Sequence, residues 1–268
     1  WDATRDADRP IVQAHRGFDG VAPENTILAA RTAVERFDAD WIEVDVQPTE
    51  DGTVVCFHDP ALGTAEGSRG ITDATGLVRV TDDETVLSAE VLDSGETIPT
   101  LADLLDALPA DVGVNLELKG PGGPVEDDDG WLFDGDDRAE HRELWDEFVP
   151  SVEADLADED RPLVLSSFFA NAVAAAAEHA PDVPRAFIAG ADLDEGLAVA
   201  TQHDAAAINA PAERILAAGQ SFVDDAHDAS LAVNAWTVTE WTTARDLAAI
   251  GVDGLIAKYP HLDATWTQ

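Results

Sequence analysis

Four short stretches of this chain gather side chains that move protons, hold cations or hold anions. They are His15-Arg16-Gly17, Glu43-Val44-Asp45, His58-Asp59 and Asn115-Leu116-Glu117-Leu118-Lys119. If the second and fourth are strands, alternation puts Glu43 and Asp45 on one face, and Asn115, Glu117 and Lys119 on one face of the other. Three inward carboxylates and a lysine cannot stay uncompensated, because buried charge needs a partner or a metal. Glu43, Asp45 and Glu117 are candidate ligands of one hard divalent cation, and an oxygen-only set points to Mg²⁺ or Ca²⁺. Arg16 and Lys119 add positive charge around an anion. His15 and His58 then stand where a general acid and a general base are needed. Metal, arginine and lysine around developing negative charge suit phosphoryl chemistry. Taken singly, each stretch is more often structural: Glu-x-Asp is common in an acidic chain, and Glu117 with Lys119 makes an ordinary ion pair. Joint placement on successive strand ends sets them apart.

Such residues need a scaffold that brings strand ends together. Short apolar runs occur at 11–14, 41–46, 53–57, 112–118, 163–167, 185–189, 206–209, 231–238 and 253–257. Helical stretches, many of them Ala-rich, fall between them at 26–37, 100–108, 139–157, 170–180, 193–202, 211–219, 223–229 and 239–249. Strand–helix alternation signals parallel strands with crossover helices. Nine runs are one too many for a closed barrel of eight parallel strands. Only Gln47 to Gly52 join the second and third runs, whereas a parallel crossover needs about a dozen residues. That pair is predicted antiparallel, turning at Asp51-Gly52, and a two-residue loop there sets His58 opposite Asp45. Without this arm the fold is α/β, a TIM (β/α)8 barrel, with its site at the C-terminal strand ends. One barrel domain over 1–268 is expected, with 59–99 as a short insertion and the Gly/Pro/Asp-rich 120–138 as a loop above the barrel. "DDDG" and "DGDD" in that loop lack the spaced ligands of a calcium loop.

Composition narrows the setting. The chain has 268 residues, 55 acidic and 15 basic side chains and a formal net charge of −40; lysine occurs only at 119 and 258. Such a surface repels itself at low salt, and a Debye length of about 3 Å near 1 M salt screens the repulsion. A salt-loaded cytoplasm is the expected location. Nucleic acid is not an expected partner, because binding its phosphates needs clustered Lys and Arg. A hydrophobic fraction of 45% argues against a disordered acidic chain. No apolar run approaches the roughly 18 residues of a membrane span, so stable membrane insertion is not expected. Cys56, the single cysteine, excludes an internal disulfide and reads as a small core residue. No methionine occurs, even at position 1; the chain is expected to begin downstream of its natural start, which leaves export open. His141, His179, His203, His227 and His261 read as surface residues.

In these motifs the chain resembles the glycerophosphodiester phosphodiesterase family. The matching blocks are "AHRGFDGVAPENT" at 14–26, "WIEVDVQPTEDGTVVCFHD" at 41–59 and "NLELK" at 115–119. "IPTLADLLDAL" at 98–108, "LSSF" at 165–168, "NAWTV" at 234–238 and "GVDGLIAKYP" at 251–260 follow in family order. The likeness covers nearly the whole chain, and its first three blocks are highly specific. It implies a TIM barrel with an insertion after the second histidine, and one divalent cation, Mg²⁺ or Ca²⁺, on Glu43, Asp45 and Glu117. It implies His15 and His58 as the acid–base pair, with Arg16 and Lys119 on the substrate phosphate. The implied substrate is a small glycerophosphodiester, giving sn-glycerol 3-phosphate and an alcohol. Glu24, Asn25 and Asn115 would brace these groups from behind, although Asn25 or Thr26 could equally cap the next helix. Phe168 and Trp236 would line the glycerol pocket. Lys258 in "LIAKYP" departs from an acid usual in the family, which bears on recognition of the alcohol. Two alternatives remain: a related barrel phospholipase, sphingomyelinase D-like or phosphoinositide phospholipase-like, or a non-catalytic phosphodiester-binding module. The acidic loops disfavour the first, and the intact histidines and ligands the second.

Overall fold

The computed structural model describes residues 9–120 and 137–262, with backbone alone at 137–141. The chain begins with strand β1 (Ile11–His15), helix α1 (Ile27–Phe37), β2 (Trp41–Pro48) and β3 (Val54–Cys56). Short elements follow: β4 (Ala61–Leu62), β5 (Gly76–Leu77), a 3-10 turn at Val78–Val80, α2 (Asp83–Ser88) and α3 (Leu101–Asp106). Strands then alternate with helices: β6 (Gly113–Leu118), α4 (Asp137–Leu156), β7 (Leu163–Ser167), α5 (Ala170–His179), β8 (Arg185–Ile188) and α6 (Leu193–Gln202). The last elements are β9 (Ala207–Pro211), α7 (Ala212–Ala218), α8 (Gln220–Asp228), β10 (Ala232–Val238), α9 (Trp241–Ala249) and β11 (Gly254–Ala257). Apart from its ends, the expected 120–138 loop lies outside the described residues.

Eight strands close a parallel barrel in the order β1-β11-β10-β9-β8-β7-β6-β2 and back to β1, with β3 antiparallel on the outer side of β2. This is the TIM barrel expected from the alternation. Small residues let the helices sit close: Ala29, Ala30 and Ala33 of α1 and Ala172, Ala175 and Ala176 of α5 are buried. Among the described residues no helix is long and apolar enough to cross a membrane.

The barrel interior changes character along its strands. Trp41, Val164, Ala186 and Ala207 fill one level. Gly113 leaves room for the indole, since a Cβ there would meet Trp41 at 2.3 Å. Two residues further on, Gln13, Asn115, Ser166, Asn209 and Asn234 are all buried and polar. Asn115 donates to Gln13 Oε1 (2.9 Å) and accepts from Ser166 Oγ (2.8 Å), while Asn234 donates to Asn209 Oδ1 (2.8 Å). Ionisable groups gather at and above this polar level.

The hairpin arm corrects one expectation. Its turn runs through Glu50-Asp51-Gly52: Thr49 N donates to Thr53 O at 3.0 Å, Gly52 N donates to Thr49 O at 3.2 Å, and Gly52 lies at φ +85°. A tight turn closed by a left-handed glycine makes a three-residue loop. Val46 therefore pairs with Cys56 and Pro48 with Val54. Phe57, not His58, stands opposite Asp45, its N–H donating to Asp45 O at 3.0 Å. A one-residue shift exchanges faces, so Phe57 is buried and His58 follows at the strand's end. Cys56 is buried in the core as expected, and burial pushes its thiol pKa up.

Residues 59–99 carry structure that the sequence reading left blank. β4 pairs antiparallel with β5. Val55, Phe57, Leu62, Val78, Val86, Ala89, Val91 and Ile98 form a small apolar cluster apart from the main core. The Asp82 side chain caps α2, and the Thr49 and Thr53 hydroxyls both donate to Asp83 at 2.6 Å. The arm and the segment after it are thus pinned together.

Candidate active site

Strand β2 carries Glu43 and Asp45, and β6 carries Glu117 in register with Asp45. One oxygen from each of the three carboxylates lies within 4.8 Å of the others. Arg16, just past β1, reaches all but Glu117. Its N–H donates to Glu43 Oε2 (3.0 Å), its Nε pairs with Asp45 Oδ2 (3.0 Å), and its Nη1 donates to Glu24 Oε1 (3.1 Å). The local backbone makes this possible, because Arg16, Gly17 and Phe18 all have positive φ and turn the chain inward. Gly17 is required there: a Cβ would come within 2.8 Å of Ala29, at the start of α1. Lys119 points into the same space, its Nζ 2.5 Å from Glu117 Oε1 and 3.4 Å from Asp45 Oδ1.

Electrostatics of the cluster are unbalanced. Burial and the neighbouring charges of Asp45 and Glu117 push the Glu43 carboxyl well above its ordinary range. Burial also works against Asp45, but Arg16 and Lys119 hold it far below the usual carboxylate range. Asp45 Oδ1 is buried and, among the described residues, accepts no hydrogen bond, keeping only the longer ion pair to Lys119 at 3.4 Å. A spare buried acceptor and three crowded carboxylates fit a bound divalent cation, which would relieve both.

Behind the cluster, two candidates for the next helix cap are separated. Thr26 caps α1, its Oγ1 accepting from Ala29 N at 3.1 Å. Asn25 instead clamps Asp45, donating to Oδ2 (2.8 Å) and accepting from the Asp45 N–H (3.1 Å). Asn115 makes its hydrogen bonds to Gln13 and Ser166, so it braces the cavity floor and not the carboxylates.

Each of the two histidines is held by an aspartate. His15 Nδ1 lies 3.0 Å from Asp19 Oδ1, and His58 Nδ1 lies 2.8 Å from Asp59 Oδ1. An ionised carboxylate can only accept, so each Nδ1 donates to its aspartate, and Nε2 is left as a lone pair on a neutral ring or as a donor on a protonated one. Burial raises both aspartates, but hydrogen bonds from the histidines and from cations behind them hold both below their ordinary range. The cation behind Asp19 is Lys258, 2.9 Å from Oδ2. The cation behind Asp59 is Arg69, which donates from its backbone N (2.7 Å) and Nε (2.6 Å). The departure noted at Lys258 thus faces the first histidine's support.

Both histidines, Arg16, Glu43, Glu117, Lys119, Asn115, Phe168 and Trp236 border one cavity of about 280 Å³. Phe168 meets Trp236 edge to face at 5.4 Å. Trp236 Nε1 is a buried donor without an acceptor. The remaining histidines described lie elsewhere: His179 and His227 pair with Asp146 and Asp253. His179 and His203 are half-buried, not fully on the surface as expected.

Asp19, Arg69 and Gln47 went unmarked in the sequence, and Asp59 was singled out only as the neighbour of His58, with no role given. Gln47 had a signal, since it follows Glu43 and Asp45 at the same two-residue step. Its Nε2 donates to the carbonyls of Phe57 (2.7 Å) and Asp59 (2.9 Å), fixing the backbone on both sides of His58.

Residues 15–262 match the model of the glycerophosphoryl diester phosphodiesterase family. YhdW of Bacillus subtilis (strain 168) is 30% identical over 259 residues, 92% of this chain and 93% of that protein. The glycerophosphodiester phosphodiesterase of the same organism is 32% identical over 131 residues, 42% of this chain and 41% of that one. An Oleispira antarctica phosphodiesterase, solved in complex with the product sn-glycerol-3-phosphate, aligns with a TM-score of 0.79 at 25% identity over 96% of both chains. The chain therefore belongs to the glycerophosphoryl diester phosphodiesterase family and is a phosphoric diester hydrolase.

Proposed function

We propose that this enzyme hydrolyses small glycerophosphodiesters to sn-glycerol 3-phosphate and an alcohol, with His15 and His58 as its acid–base pair. The observation that carries this is the pair of aspartate-held histidines bordering one cavity with the carboxylate cluster. Arg16 and Lys119 neutralise the phosphate. His15, the less exposed ring (14% against 29%), takes the proton of the attacking oxygen through Nε2. A bond forms from that oxygen to phosphorus as the phosphorus–alkoxy bond breaks. His58, on the more open side, protonates the departing alcohol. The attacking oxygen is water, or the adjacent glycerol hydroxyl followed by water opening a cyclic phosphate. Glu43, Asp45 and Glu117 would hold Mg²⁺ or Ca²⁺, which supplies Lewis-acid charge beside the phosphate. Phe168 and Trp236 pack against the glycerol.

A cavity of about 280 Å³ is at or below the small end of ligand pockets, roughly 300–1,000 Å³. That favours a deacylated head group over an intact lipid. Within 1–268 the proposed organisation is one barrel domain carrying the 59–99 insertion, and the proposed setting is a salt-rich cytoplasm. The test is release of sn-glycerol 3-phosphate from glycerophosphocholine and glycerophosphoethanolamine, with bis(p-nitrophenyl) phosphate as a reporter, in molar salt. Turnover should vanish on exhaustive chelation and return with Mg²⁺ or Ca²⁺. No product from either diester would sink the substrate assignment, and full activity after chelation would sink the metal.

A further inference from the structure

We propose that Arg69, in the segment joining β4 to β5, is a positioning residue that couples the phosphate-side arginine to the second histidine. The proposal rests on the roles given above to Arg16 and His58. Arg69 Nη1 donates to Glu24 Oε2 at 2.9 Å, and Nη2 donates to Glu24 Oε1 at 2.5 Å. Its Nε and backbone N donate to the two oxygens of Asp59. The same Glu24 Oε1 accepts from Arg16 Nη1, and the same Asp59 Oδ1 holds His58 Nδ1. One guanidinium thus joins two carboxylates that are 8% and 2% exposed, each holding a residue on the cavity wall. Arg69 does not itself border the cavity, so any effect on turnover passes through Arg16 and His58.

The geometry needs an arginine. A planar fork of fixed N–H groups spans two carboxylates at once, whereas an ammonium is a single compact charge. Without the fork, Glu24 and Asp59 lose their shared partner, and the groups they hold lose their fixed orientation. The 59–99 segment thereby contributes to the chemistry as well as to packing.

The experiment is steady-state kinetics on glycerophosphocholine in molar salt and saturating divalent cation. It compares Arg69→Gln, Arg69→Lys, Asp59→Asn, Glu24→Gln and the two double variants with Arg69→Gln. Arg69→Gln should lower kcat about tenfold, the size expected for losing a charge-assisted hydrogen bond, and raise KM severalfold. Arg69→Lys should resemble it. In the double variants, Asp59→Asn should add little further loss of kcat, and Glu24→Gln little further rise in KM, because coupled residues are not additive. Unchanged kinetics with only a lowered unfolding midpoint would overturn the proposal, as would full rescue by lysine or additive losses. If Arg69→Gln fails to fold, the lysine variant carries the same comparison. His58→Ala and Arg16→Ala separate the two levels: near-normal kinetics there would overturn both readings, and large losses there beside an unaffected Arg69 variant would overturn this one alone.

Discussion

The two histidines sit in matching pairs but in different parts of the molecule. His15 is built into the barrel: it ends β1, and Asp19 four residues later holds it within one turn. That turn is fixed by left-handed backbone and by Gly17 against α1. His58 stands on the arm, beyond the closed sheet, and Asp59 beside it is secured by Arg69 from the following segment. Lys258 (37% exposed) offers Asp19 one ion pair, while Arg69, as open to solvent at 42%, offers Asp59 a backbone and a side-chain donor. A histidine fixed by the barrel framework leans little on counter-ions, whereas one on an appended arm depends on the cation its own segment supplies.

The largest effect should come from the rings themselves. His15→Ala and His58→Ala are each expected to lower kcat on the order of 10²- to 10⁴-fold with the fold intact by circular dichroism. Near-normal turnover in either would break the pairing outright. The supporting aspartates come next. Asp59→Asn should cost about tenfold in kcat and Asp19→Asn less, because the turn still presents His15. An equal or larger loss for Asp19→Asn would mean that the barrel side depends on its carboxylate just as much. Lys258→Ala should matter least. A single ion pair from a partly exposed lysine is worth about 0–1 kcal/mol, so kcat should change by less than about fivefold and less still in molar salt, where screening is strong. A salt-independent, tenfold loss would show Lys258 to be as necessary as Arg69 is proposed to be.

Much of this was legible because strands alternate. Glu43 with Asp45, and Glu117 with Lys119, could be set on shared faces from spacing alone, and the short Gln47–Gly52 connection betrayed the antiparallel arm. The register of that arm was not legible, since a left-handed Gly52 adds one residue to the turn without changing the motif. The cap at Thr26 and the clamp at Asn25 could not be told apart either, because both residue types serve either purpose. Partners across long separations were invisible. Nothing local ties Arg69 to Glu24, 45 residues earlier, and in a chain with 55 acids any arginine has many candidate partners. Segment 59–99 was read only as a short insertion, without elements of its own, because its strands are two residues long and its helix six. Only the capping Asp82 hinted at a start.

The small apolar cluster beneath the arm has a consequence for how the enzyme fails. Eight buried residues form it, separate from the far larger set that joins barrel and helices. A unit with so little buried surface opens at a lower free energy than the globe around it. His58 follows Phe57 of that lesser unit, though Val54 and Cys56 of the same arm pack into the greater one, and His15 follows Ala14 of the greater one. On warming or dilution from salt, amide exchange at Val55 and Phe57 is expected to speed up before that at Val12 and Ala14, which would place the second ring on the part that opens first.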